Sequence, residues 1–301
     1  MNLRRKFTDM NIKNNKWYIY QRERFPLLFY VPAVLIVCFG TVKYACFCMR
    51  RQGMEIIPHL KLTYLFICLE IFIFYLLFRI VDEQKDYEKD KILYPERPIS
   101  KGLITLKELR QLERILIVVQ TAAVILFNHS LIFFHMINWV YFGLMTKEYF
   151  HPEFMKKHEY LDGVFHQFIL LLLDVFAIES IGIDYEEIWN FSELSVFLLG
   201  RYTGFLALFS SIYSTKQKKS QKTEKMGLLW FVFSVFLGQS IVFKTYRGIY
   251  MAEKGSVAAG IIFLILWMAG KKIGERKCKK ASIRICCLWI LFFSLEMGLL
   301  P

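Results

Sequence analysis

The chain has 301 residues, 55% of them hydrophobic and 17% aromatic, with a formal net charge of +13. A soluble domain of this length has no use for so many long apolar runs. A nucleic-acid footprint is excluded by distribution, because the lysines and arginines sit between apolar segments, where membrane topology puts them.

The first 25 residues are basic and polar. The first apolar segment that follows is too long for the hydrophobic region of a cleavable signal peptide, so none is expected. With Trp17, Tyr18 and Tyr20 among its basic residues, this tail reads either as an interfacial helix or as a disordered basic arm. Nine apolar segments then follow, at about 26–48, 60–78, 111–127, 130–146, 161–179, 193–213, 226–243, 255–270 and 282–300. A bilayer core takes about 20 apolar residues per helix, fewer where the ends snorkel. The third and fourth segments form a tight hairpin around Asn128, His129 and Ser130, and a single re-entrant unit is the alternative there. The expected fold class is all-α, a polytopic membrane protein of about nine transmembrane helices. It is expected to form one membrane domain over residues 26–301 behind the tail of residues 1–25.

Orientation follows from the basic residues. Thirty lysines and arginines fall on one side of this scheme and six on the other. Cytoplasmic loops collect positive charge, so the amino terminus is expected inside the cell and the carboxy terminus outside. The acidic loop 179–193 then lies outside. Seven cysteines, with no C-x-x-C pair among them, read as packed, reduced thiols rather than a disulfide framework.

The loop leaving the second segment carries the most chemistry: FRIVDEQKDYEKDKILYPERPISKG, residues 78–102. Asp82, Asp86 and Asp90 are four apart, which on a continuous helix stacks three carboxylates on one face beside Glu83. Such repulsion is offset by a divalent cation, and Mg²⁺ takes one or two carboxylates while sharing its shell with water and substrate phosphates. Lys85, Arg97 and Lys101 are placed to meet those phosphates. A solvated charged loop is the other reading of the same residues.

DEQKDYEKD followed by ERPISKG resembles the first aspartate-rich motif of the UbiA superfamily of intramembrane prenyltransferases, N-D-x-x-D-x-x-x-D and then R-P-L-x-x-G. Asp82 stands at the Asn position, Glu83 at the first Asp, and Asp86 and Asp90 at the next two. Arg97, Pro98 and Gly102 match the second part, with Ile99 for Leu. The stretch is still more similar to a bacterial branch that reads D-E-F-K-D-x-E-x-D and L-M-T-K-E-F-F, the latter appearing here as LMTKEYF from Leu144 to Phe150. His166 and Asp174 fall where that branch has His and Asp. The match covers roughly residues 20–190.

The resemblance implies nine helices with cytoplasmic catalytic loops, and transfer of a prenyl group from an isoprenoid diphosphate to an unidentified acceptor. In it Mg²⁺ is the cofactor, held by Asp82, Glu83, Asp86 and Asp90, with Asp82, Asp86 and Asp90 as the catalytic set. Lys85, Arg97, Lys101, Lys147 and Arg201 are the substrate-binding candidates. Partners are membrane lipid, the isoprenoid diphosphate and its acceptor, with no nucleic acid; the expected location is a bacterial inner or plasma membrane. The family's second acidic motif has no counterpart, because the corresponding loop, STKQKKSQKTEK at 214–225, holds five lysines and one acid, Glu224. Its lysines replace the second metal as phosphate clamps, or serve a changed substrate, or mark a non-catalytic protein that binds or transports an isoprenoid lipid. Attraction of the loop to anionic lipid is a further reading.

Lys43, Glu70, Asp174, Arg201 and Glu296 lie within apolar segments, where charges face a cavity or a partner. Asp174 and Arg201 occupy consecutive segments and are expected to pair. His166, eight residues before Asp174, shares its helix face, so that a relay or a transporter pathway through His166, Asp174 and Arg201 is the alternative use of these residues.

Overall fold

The computed structural model describes residues 15–54, 60–183, 192–216, 221–245 and 275–298. Every regular element among them is helical. The helices, in chain order, are α1 (Lys16–Arg24), α2 (Leu27–Arg51), α3 (Leu60–Lys85), α4 (Tyr87–Leu93), α5 (Leu106–Phe127), α6 (Ile132–Thr146), α7 (Pro152–Lys157), α8 (Glu159–Glu179), α9 (Ser192–Lys216), α10 (Gln221–Thr245) and α11 (Glu275–Gly298). Eight of the nine apolar segments coincide with one of these helices; the segment at 255–270 lies outside the described residues. Among the described residues, four helices are long and apolar enough to cross a membrane: Leu27–Arg51, Leu60–Lys85, Glu159–Glu179 and, within α9, Glu193–Ser214. At 1.5 Å per residue, 25 residues make a helix of about 37 Å, longer than the roughly 30 Å hydrocarbon core.

Local chemistry sets the helix ends. Asn15 caps α1 by accepting from the amides of Trp17 and Tyr18. Thr105 and Glu108 form a reciprocal capping box at the start of α5, which satisfies two amides that a helix N-terminus leaves open. Asn128 ends α5, its side chain accepting from the amide of Ser130. The third and fourth apolar segments are therefore two helices, α5 and α6, with one turn at His129–Leu131 between them in the chain.

The chain divides into two compact units, residues 1–35 with 65–132, and residues 36–64 with 133–301. In the first, Tyr20, Ile80, Ile99, Ile104 and Leu109 form a buried cluster flanked by Trp17 and Tyr87. Phe66 stacks on Phe127 at 4.1 Å, and the buried Gln120 donates to the carbonyl of Glu70 at 3.0 Å.

In the second unit, small residues let helices approach closely. A methyl group on Gly40 would overlap the backbone of Ser294, and one on Gly163 would overlap the ring of Phe209. Ser234 donates to the carbonyl of Gly200 at 2.6 Å and accepts from the Trp289 indole at 3.0 Å, so a polar thread joins α9, α10 and α11. Van der Waals packing and such bonds are what hold helices together where lipid removes the hydrophobic drive between them. The six cysteines among the described side chains are free thiols, five of them buried.

Candidate functional site

The acidic loop belongs to the first unit. The helix that carries Asp82 does not continue through Asp90: α3 ends at Lys85, the backbone bends at Asp86 (φ −90°, ψ 5°), and α4 starts at Tyr87. The amide of Asp86 still bonds to the carbonyl of Asp82 (2.9 Å), and that of Asp90 to Asp86 (2.8 Å), so successive carboxylates remain about one turn apart. The bend nevertheless gives the four acids different surroundings. Glu83 is 3% exposed and accepts from both Arg24 and Arg79. Asp90 is paired with Arg97, whose guanidinium also lies 3.8 Å over the Tyr94 ring. Asp82 and Asp86 are exposed. Among the described residues no group of three or more His, Cys, Asp or Glu converges to hold a metal ion.

The Arg97–Gly102 segment is a compact turn. Lys101 donates its amide to Arg97 (2.9 Å), Gly102 to Ile99 (2.9 Å) and Leu103 to Pro98 (2.9 Å). Gly102 closes it at φ +73°, a left-handed conformation in which a side chain is strained, which accounts for a glycine at this place. Ile99 points into the core while Lys101 is exposed, and Lys85 is exposed at the end of α3.

The amino-terminal helix closes on this segment. Lys16 pairs with Glu108, and this contact, together with hydrogen bonds from Thr105, holds the Glu108 carboxyl down at about 2. Tyr20 is buried in the cluster that contains Ile99, and burial, reinforced by the charge of Glu83, pushes its phenol well above its ordinary range. The contact of Arg24 with Glu83 was not legible in sequence, since the two are 59 residues apart. The Arg79–Glu83 pair had a signal, its i,i+4 spacing.

The remaining sequence candidates belong to the second unit. Arg201 lies inside the bundle rather than on an open face: its side chain is 0% exposed, and it donates to Asp174 (3.1 Å), to the Val37 carbonyl (3.1 Å) and to Thr41. Thr41 in turn donates to Asp174 at 3.0 Å. The expected Asp174–Arg201 pair is thus present, with Thr41 as a third member that sequence reasoning missed. His166 is bonded to its own helix, Nδ1 to the carbonyl of Asp162 at 2.8 Å. Lys147 is exposed at the end of α6. It opens a turn in which three consecutive residues, Glu148, Tyr149 and Phe150, have φ of 50°, 54° and 59°. Left-handed backbone costs roughly 1–2 kcal/mol per non-glycine residue, and such strain gathers at functional places. Tyr149 donates to Tyr141 (3.3 Å), which donates to the Phe165 carbonyl (2.7 Å), so the turn is tied to α6 and α8. Lys218 and Lys219 lie outside the described residues, Lys225 is exposed, and the structure describes Lys216, Lys222 and Glu296 by their backbone alone.

No family model matches the sequence, and no curated protein does. A solved structure of digeranylgeranylglyceryl phosphate synthase in membranes is similar to this chain with a TM-score of 0.58, covering 93% of this chain and 99% of that one at 16% identity. That protein is a prenyltransferase of the UbiA superfamily. Over nearly its whole length, this chain has the fold of that membrane prenyltransferase.

Proposed function

We propose that this protein is a UbiA-type prenyltransferase that takes an isoprenoid diphosphate from the bilayer and passes its prenyl group to an acceptor. The observation that carries the reading is the acid- and base-rich turn at 82–102, which matches the family's first motif at Asp86, Asp90, Arg97, Pro98 and Gly102, on a chain with that fold. Asp82 and Asp86, exposed and one turn apart, match the one or two carboxylates that Mg²⁺ takes alongside phosphate oxygens. Bound there, Mg²⁺ offsets the charge that diphosphate gains as it leaves. Lys85, Arg97 and Lys101 are the cations for the remaining phosphate oxygens, and Asp90 orients the Arg97 fork toward them. Glu83, saturated by two arginines, serves the scaffold. The amino terminus and these loops face the cytoplasm, in keeping with the excess of basic residues on that side.

A second reading, an isoprenoid-lipid binding protein without turnover, draws on the five lysines at 214–225, where the family carries acids. Ammonium groups hold diphosphate without metal geometry, which favours binding over the transition state. One experiment separates the two. Protein in nanodiscs receives isoprenoid diphosphates of increasing chain length and a lipid extract as acceptor, and both binding and diphosphate release are measured with and without Mg²⁺. Prenyl transfer predicts Mg²⁺-dependent release that Asp86→Asn cuts by roughly 10²–10³-fold, the usual loss of one electrostatic stabiliser. Tight binding without release selects the second reading, and release unchanged by Asp86→Asn overturns the site.

A further inference from the structure

We propose that α1 is a positioning strap for the diphosphate loop, with Glu83 as its anchor and not as a metal ligand. The strap itself stands on contacts alone; its consequence for diphosphate rests on the function proposed above.

Three contacts define it, and they fall at residues 16, 20 and 24. That four-residue spacing puts them on one face of a helix of nine residues. Each reaches a different piece of chain. Lys16 pairs with Glu108 in the first turn of α5. Tyr20, 3% exposed, packs with Ile99 and Ile104 of the loop and with Ile80 and Leu109 on either side. Arg24 pairs with Glu83 in the last turn of α3, where Arg79 holds the same carboxylate. One short helix therefore ties together the segment entering the loop, the loop itself and the segment leaving it.

The central contact gives the strap its leverage. Ile99 is buried two residues after Arg97 and two before Lys101. The hydrogen-bonded turn closed by Gly102 links Ile99 to the backbone of both cations. Glu83 faces inward to two guanidinium groups with its side chain 2% exposed, an arrangement that spends the carboxylate on holding helices together. The other side of α1 carries Arg22, which is exposed and makes none of these contacts, so it supplies a control.

Hydrogen–deuterium exchange in nanodiscs tests the strap without any activity. Tyr20→Ala and Arg24→Gln are expected to raise exchange of amides 97–105 about tenfold or more, while α8 and α9 keep their protection and Arg22→Gln changes nothing. Arg24→Lys, which keeps the charge, restores protection in large part. Glu83→Gln reproduces the Arg24→Gln pattern. Binding of Mg²⁺ with inorganic pyrophosphate, followed by calorimetry on the same samples, weakens by a similar factor in the strap variants. Exchange at 97–105 that does not change in Arg24→Gln overturns the strap, as does a rise spread evenly over all helices. Loss of Mg²⁺–pyrophosphate binding in Glu83→Gln with exchange unchanged also overturns it, by returning Glu83 to the metal. If exchange responds as expected but the wild-type protein binds no Mg²⁺–pyrophosphate, the strap stands and the prenyltransferase reading falls.

Discussion

Replacing Asp174 by Asn tests whether the charged cluster inside the second unit is architecture or substrate site. Arg201 has no exposed side-chain surface, and three groups receive its hydrogen bonds: Asp174, Thr41 and the Val37 carbonyl. Only Asp174 is charged. Loss of its charge leaves a buried guanidinium with neutral acceptors only, and breaking a buried pair from one side costs about 3–5 kcal/mol. The reverse change, Arg201→Met, is expected to cost less, because a lone carboxylate can take up a proton whereas a guanidinium cannot give one up. The double replacement Asp174→Leu with Arg201→Met removes both charges and is expected within about 1–2 kcal/mol of the wild type. Reversible unfolding in mixed micelles reads all three, and a double-mutant cycle gives the coupling. Equal losses in Asp174→Asn and in the double variant would refute the charge argument. Loss of Mg²⁺–pyrophosphate affinity in Arg201→Met at unchanged stability would instead place Arg201 in the substrate site, where sequence reasoning put it.

Two further perturbations follow from close contacts and backbone strain. Gly40→Ala and Gly163→Ala both create overlaps, one against the rigid backbone of Ser294 and the other against the Phe209 ring. Overpacking costs typically 1–3 kcal/mol, so Gly40→Ala is expected at or above the top of that range; Gly163→Ala should cost less and be rescued by Phe209→Leu, as thermal unfolding in detergent will show. Phe150→Gly reverses the usual sign of a glycine substitution: Phe150 is 71% exposed and sits at φ 59°, so relief of left-handed strain is expected to stabilise by about 1 kcal/mol. A destabilisation of that size in the same assay counts against strain at Lys147–Phe150.

The helices were legible because apolar runs of bilayer length leave few alternatives, and the cap at Thr105–Glu108 is a short-range signal. The end of the second segment was not. Arg79 to Lys85 are polar enough to read as loop, yet they extend α3 by seven residues, since Ile80 still packs into the core while Glu83 turns inward onto Arg24 and Arg79. The break at Asp86 was equally hidden, and the one-face stack of three aspartates depended on a helix continuing through it. Partners far apart in the chain form the larger gap. Thr41 meets Asp174 across 133 residues and Arg201 across 160, and nothing in a threonine of an apolar run announces this. The left-handed turn had no signal either, because neither Glu, Tyr nor Phe favours positive φ.

Charge pairing along 79–101 gives this short stretch two roles. Glu83 and Asp90 each meet an arginine and fix geometry, one through α1 and α3 and the other through the turn that bears Arg97. Asp82 and Asp86 keep their exposure, as do Lys85 and Lys101. Inward and outward acids thus alternate along the stretch; under the function proposed above, the inward ones hold the loop and the outward ones are the candidates for serving the phosphate. Acid spacing places the carboxylates near one another along the chain, and the bend at Asp86 and the arginines give the four of them different surroundings that the spacing does not show.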